Sequence, residues 1–134
     1  MDFLRPYQQQ LLSLLRFVIG LLLLHHGTTK YLNFPVGAMN NMNPTNIYGI
    51  AGMFELVCGA LLVLGLFTRL AAFVASGLAA IAYFYAHNPR GFYPVYNGGE
   101  AEILYAFALL YIAAAGGGSI SLDRLIRREA VSTA

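Results

Sequence analysis

Long apolar runs, each close to the length of a membrane-crossing helix, dominate this chain. A helix needs about 20 mostly apolar residues to cross the hydrocarbon core of a bilayer. Four such runs lie at about residues 11–29, 47–66, 70–87 and 100–116. Strand-like alternation of apolar and polar residues does not compete with this pattern. The sequence therefore predicts an all-α fold, an integral membrane four-helix bundle that forms a single domain over residues 1–134.

The composition excludes several other classes of protein. Hydrophobic residues make up 58% of the 134 residues and charged residues 10%, whereas a soluble domain has about 25% charged residues. So few charges cannot cover a water-facing surface, and we expect a lipid bilayer around the chain. A net charge of +2 is too small to indicate a nucleic-acid partner. The single cysteine, Cys58, excludes an internal disulfide and a cysteine zinc site.

The distribution of basic residues predicts the orientation in the membrane. Four spans place both termini on the same side as the turn at residues 65–69. That side carries Arg5, Arg69, Arg124, Arg127 and Arg128, whereas the other side carries Lys30 and Arg90. Because cytoplasmic segments are enriched in Lys and Arg, both termini are predicted to be cytoplasmic. After the glycines at 116–118, we expect Ser121 to cap a short amphipathic helix that lies in the membrane interface.

Two charged residues fall inside the predicted spans. Insertion of a charge near the middle of a membrane helix costs about 2.5 kcal/mol or more, so Arg16 and Glu55 are candidate functional residues. We place Arg16 and Glu55 at similar depths in the membrane and predict an Arg16–Glu55 ion pair. This pair either serves chemistry or only locks two helices together, and the sequence leaves both open. Lys30 and Arg90 are expected to anchor the membrane interface.

Other polar residues cluster toward the predicted outward end of the spans. They suggest a polar cavity that opens outward, with Glu55 and Arg16 as its floor. The spacing of Asn97 and Glu100 matches a capping box, which leaves Glu102 to face inward. The candidate catalytic residues, which would handle protons, are Glu55 and Glu102, and the candidate ligand-binding residues are Arg16, His26, Tyr83 and His87.

The sequence does not identify a cofactor. Adjacent His25 and His26 diverge on a helix, so the pattern disfavours haem and predicts no metal site. A quinone fits better, because its carbonyl groups need hydrogen-bond donors and a carboxylate that relays protons.

Several motifs together resemble the DoxX family. They are LHHG at residues 24–27, ELVCG at 55–59, GLFTRLAA at 65–72 and NGGE at 97–100. The resemblance extends from about residue 11 to residue 123 and implies a four-helix protein of the bacterial inner membrane. Namesakes of the family are linked to thiosulfate:quinone oxidoreductase, and some relatives are linked to membrane complexes for oxidative-stress and thiol defence.

Two functional hypotheses follow from the residues and this resemblance. In the first, the chain is a membrane subunit of a quinone-linked or thiol- and oxidative-stress-related redox system, as an accessory subunit of an oxidoreductase complex. A second protein would supply the electrons, and the expected partner is a redox protein or another copy of the chain. In the second, it is a non-catalytic membrane scaffold on which a partner protein assembles. A small transporter is a third alternative, although a gated path is hard to build from four short spans.

Overall fold

A computed structural model describes residues 2–132, and within this range the chain forms helices and turns without a strand. The all-α prediction is therefore confirmed. A short 3-10 helix (Asp2–Tyr7) leads into the long helices α1 (Gln8–Leu32), α2 (Ile47–Leu64) and α3 (Thr68–Ala82). A π-helical turn (Tyr83–His87) and a 3-10 turn (Asn88–Arg90) extend α3, and α4 (Pro94–Asn97), α5 (Glu100–Ala115) and α6 (Leu122–Ser132) follow.

Glycines bring α1 and α2 into close antiparallel contact. A Cβ atom on Gly20 would lie 2.8 Å from the Cβ of Leu62, and a Cβ on Gly27 would lie 2.7 Å from the backbone nitrogen of Leu56. Side chains at these two positions would push the helices apart, so small residues at the interface let the backbones approach. The two contacts fix the register of α1 against α2.

The core lies between this hairpin and a second pair of helices, α3 and α5. Alanines on α3 permit close packing there, and the Ser76 hydroxyl donates a 2.7 Å hydrogen bond to the Ala106 carbonyl of α5. Fully buried side chains from three helices meet in this core, namely Leu62, Ala72, Leu109 and Ile112. The four long helices thus bury a common apolar centre, while their outer faces stay apolar and exposed.

Within residues 2–132, three helical segments are long and apolar enough to cross a membrane, namely Asp2–Leu32, Ile47–Leu64 and Thr68–Arg90. Their outward faces carry large apolar side chains such as Phe73, which is 63% exposed. These features agree with a lipid environment. Helix α5 has 16 residues, or about 24 Å of helix, against a hydrocarbon core of about 30 Å. The fourth span therefore remains a prediction.

The C-terminal segment folds back onto the end of the bundle where α1 begins, which we call the N-terminal end. The Asp123 carboxylate accepts hydrogen bonds from the backbone amides of Phe67 (2.8 Å) and Thr68 (2.9 Å) at the start of α3. Burial alone would raise the pKa of Asp123, but these bonds and the nearby Arg127 hold that pKa below its usual value. Ser121 accepts from the Arg124 amide at 3.4 Å, as expected for a cap of α6.

We predict that Gly27→Leu destabilises the α1–α2 hairpin by about 1–3 kcal/mol, because its side chain must displace the Leu56 backbone. The matched control is Gly77→Leu, since a Cβ at Gly77 meets nothing within 4 Å. Thermal unfolding of the detergent-solubilised variants measures the difference. Equal melting temperatures for the two variants would contradict the packing described here.

Candidate functional site

A buried ion pair joins α1 to α2 near the other end of the bundle, which we call the loop end because residues 33–46 and 88–99 lie there. Lys30 Nζ lies 2.7 Å from Glu55 Oε2, and the two side chains are 5% and 13% exposed. The aliphatic part of Lys30 packs on Gly52, where a Cβ would lie 2.8 Å from Lys30 Cδ. Each charge compensates the other in a place that water barely reaches.

The predicted Arg16–Glu55 pair is wrong. Because Gly27 lies opposite Leu56, Glu55 is level with a part of α1 about 12 residues, or roughly 18 Å, from Arg16. No arginine side chain spans that distance. The expectation that Lys30 only anchors the interface is also wrong, since Lys30 is 4% exposed. Lys30 lies on the same helical face as Gly20 and Gly27, and this spacing in the sequence could have predicted that its side chain is buried against α2.

Arg16 is instead enclosed by backbone carbonyl groups at the N-terminal end. Its Nε donates to Gly117 at 3.0 Å, its Nη2 to Ile120 at 2.6 Å, and its Nη1 to Leu62 and to Val63, the latter at 3.0 Å. The residue is 3% exposed. Arg16 therefore ties the end of α2 to the segment after α5, and it does not form a cavity floor together with Glu55.

A second polar cluster at the loop end joins the end of the α3 extension to the start of α5. His87 Nε2 lies 3.3 Å from Glu102 Oε1, and His87 Nδ1 lies 3.0 Å from the Asn97 carbonyl oxygen. The Asn97 side-chain amide donates to the Tyr83 hydroxyl at 3.4 Å. The π-helical turn Tyr83–His87 carries two of these residues, and π turns are frequent at functional sites. The structure thus brings Tyr83, His87 and Glu102 together.

The contacts of the His87 ring indicate which of its nitrogens carries a hydrogen. The Asn97 carbonyl can only accept, so the hydrogen of a neutral His87 ring belongs on Nδ1. Attraction between Nε2 and Glu102 Oε1 then needs an additional proton on one of the two groups. Within the described part of the chain, the other carboxylate oxygen, Glu102 Oε2, is buried and has no hydrogen-bond partner. A buried polar atom without a partner is uncommon in proteins and calls for an explanation.

Two expectations about neighbouring residues fail. The His26 side chain is exposed, and its Nδ1 lies 2.9 Å from the Leu22 carbonyl of its own helix, so it joins neither cluster. The capping box does not form either, because the Asn97 side chain accepts from the Gly99 amide at 2.8 Å and leaves Glu100 exposed. Asn97 instead contacts His87 and Tyr83. The spacing of Asn97 and Glu100 in the sequence does not predict these contacts.

Comparison with known proteins places the chain in a defined family. The DoxX family model matches residues 11–88. An uncharacterized protein of Haemophilus influenzae is 38% identical over 128 residues, which cover 92% of this chain and 96% of the relative. A second uncharacterized protein of that organism is 32% identical over 89 residues, or 66% of this chain and 59% of the relative. No solved structure matches the chain significantly.

We predict that Lys30→Met and Glu55→Gln each destabilise the protein by about 3–5 kcal/mol, because each leaves a buried charge without its partner. The double variant should regain most of that loss, since neither charge remains. Thermal unfolding in detergent measures this cycle, with exposed Arg90→Met and Glu100→Gln as the control pair. Additive losses in the double variant would show that the two side chains do not interact.

Proposed function

The chain belongs to the DoxX family of membrane proteins, and from that premise we propose that it is a membrane subunit of a quinone-linked or thiol- and oxidative-stress-related redox system. The observation that carries this proposal is Glu102 Oε2 beside the His87–Glu102 contact, a buried oxygen that has no hydrogen-bond partner among residues 2–132. A carboxyl group in this position offers a hydrogen bond to a quinone carbonyl, and His87 supplies the replacement proton.

The proposed roles of the residues and of the partner protein follow from the chemistry of quinone reduction. Reduction to the quinol consumes two electrons and two protons. A partner redox protein supplies the electrons, since Cys58 is buried and single. In this chain, Glu102 and His87 pass protons, while Tyr83 helps to orient the ligand. Glu55 is held by Lys30, so we assign it a stabilising role in place of the catalytic one expected from the sequence.

We also propose four spans in the bacterial inner membrane with both termini in the cytoplasm. Support for the fourth span comes from the two ends of α5. Glu102 near its start contacts His87 at the loop end, whereas Arg69 at the N-terminal end donates to the carbonyl of Ala113 at 3.1 Å, near its finish. Helix α5 therefore runs the height of the bundle. The balance of Lys and Arg supports the orientation.

The second candidate function is a non-catalytic scaffold that holds a partner protein. It is favoured by the exposed aromatic side chains around α4, where Phe92 is 81% and Tyr96 is 87% exposed. Aromatic residues are enriched at protein interfaces and also at membrane boundaries. In this alternative, both polar clusters at the loop end only fix the helices that present this surface.

We predict that Glu102→Ala lowers the affinity for decylubiquinone about two- to tenfold, because it removes the donor of a hydrogen bond that contributes about 0.5–1.5 kcal/mol. Glu100→Ala, which removes an exposed carboxylate two positions away, should leave the affinity unchanged. Calorimetric titration of the protein in nanodiscs measures both. If the unaltered protein does not bind the quinone, the redox proposal fails and the scaffold remains.

We predict the topology from single cysteines introduced in a Cys58→Ser background. Val36→Cys lies in the loop at 33–46 and should react with a membrane-impermeant maleimide added to intact cells. Phe3→Cys should react only after the cells are opened. Both parent side chains are well exposed, at 86% and 68%. The reverse labelling pattern would overturn the proposed orientation.

A further inference from the structure

A basic pocket of about 260 Å³ lies at the N-terminal end, away from the proposed quinone site. Arg69 of α3 and Arg124 and Arg127 of α6 line it, together with Gln9 and the backbone of the glycines at 116–118. Asp123 also lines this pocket. The formal charge of these lining side chains is positive, because three arginines outnumber one carboxylate.

One of the three arginines, Arg69, is held in place by contacts to the backbone. Arg69 Nη1 donates to the carbonyl groups of Ala113 and Ala114 at the end of α5. Asp123 fixes α6 onto the start of α3 through the amides of Phe67 and Thr68. The two amides donate to both oxygens of the carboxylate and stabilise its charge. Arg69 and the start of the helix that carries Arg124 and Arg127 are thus in place before any anion binds.

An apolar groove of about 370 Å³ flanks the opposite face of α6. The side chains that line it include Leu14 and Phe17 of α1, Val63 and Leu64 of α2, and Leu122 and Leu125 of α6. Ser121 borders both the groove and the basic pocket. Helix α6 therefore has an apolar space on one side and a cluster of arginines on the other, the arrangement of a helix that lies in a membrane interface.

We propose that this end of the protein binds an anionic phospholipid of the adjacent leaflet. The phosphodiester lies against Arg69, Arg124 and Arg127, because guanidinium groups match phosphate oxygens in both charge and geometry. An acyl chain occupies the neighbouring groove, which no free phosphate ion would fill. The site is separate from Glu102 and His87, so it does not depend on the proposed function.

Native mass spectrometry of the full chain in mild detergent tests this site with phosphatidylglycerol and phosphatidylcholine as probes. The unaltered protein should retain phosphatidylglycerol in preference to phosphatidylcholine. Arg124→Gln with Arg127→Gln should weaken phosphatidylglycerol binding roughly 20–30-fold, since each arginine near an anionic membrane surface contributes about 1 kcal/mol and 1.4 kcal/mol is tenfold. The matched control is Arg5→Gln with Arg128→Gln, which removes the same charge outside the pocket.

Three outcomes would overturn the proposal. Equal losses in the two double variants would mean that general charge attracts the lipid. Equal retention of both lipids would remove the need for an anionic head group. Displacement of phosphatidylglycerol by millimolar inorganic phosphate would identify an anion site without lipid specificity. If Arg124→Gln with Arg127→Gln lowers the melting temperature, the single variants Arg127→Gln and Arg128→Gln provide the same comparison.

Discussion

The close approach of α1 and α2 is the constraint on which the polar interior depends. Gly20 and Gly27 allow backbone contact with α2, and that contact fixes one register. In this register the Lys30 ammonium meets the Glu55 carboxylate, so both charges are compensated inside a largely apolar protein. A shift by one helical turn would separate the two groups by about 5 Å and leave both charges buried alone.

The helices were predictable from the sequence because apolar runs and glycine or proline breaks are local features. The predicted start of the second span at Ile47 coincides with the start of α2, and the predicted end of the third at His87 coincides with the end of the π turn. The partner of Arg16 was not predictable in this way. Its acceptors are backbone carbonyl groups, among them those of Gly117 and Ile120, and a sequence pattern does not mark carbonyl groups as acceptors.

The candidate site was predicted in part, and the difference has a geometric cause. Tyr83 and His87 lie near the end of the α3 extension, and Glu102 lies near the start of α5. These two helix ends must lie at the same end of the bundle, so the position of each residue along its helix was enough to predict that the three are close together. His26 has a suitable height, but its side chain is exposed on α1. Each residue turns the helix by about 100°, and an error of one position is enough to move a side chain from the interior to the surface.

The carboxylates of Glu55 and Glu102 differ in the partners that the protein gives them. The Glu55 carboxylate is paired with the Lys30 ammonium at 2.7 Å, so this contact joins α1 to α2. Glu102 has a titratable partner in His87, whose other ring nitrogen is occupied by the Asn97 carbonyl. Proton exchange with a ligand requires an acid–base pair together with a carboxylate oxygen that no other protein group occupies. Among the described residues, His87 and Glu102 form such a contact, and Glu102 Oε2 is buried without a hydrogen-bond partner.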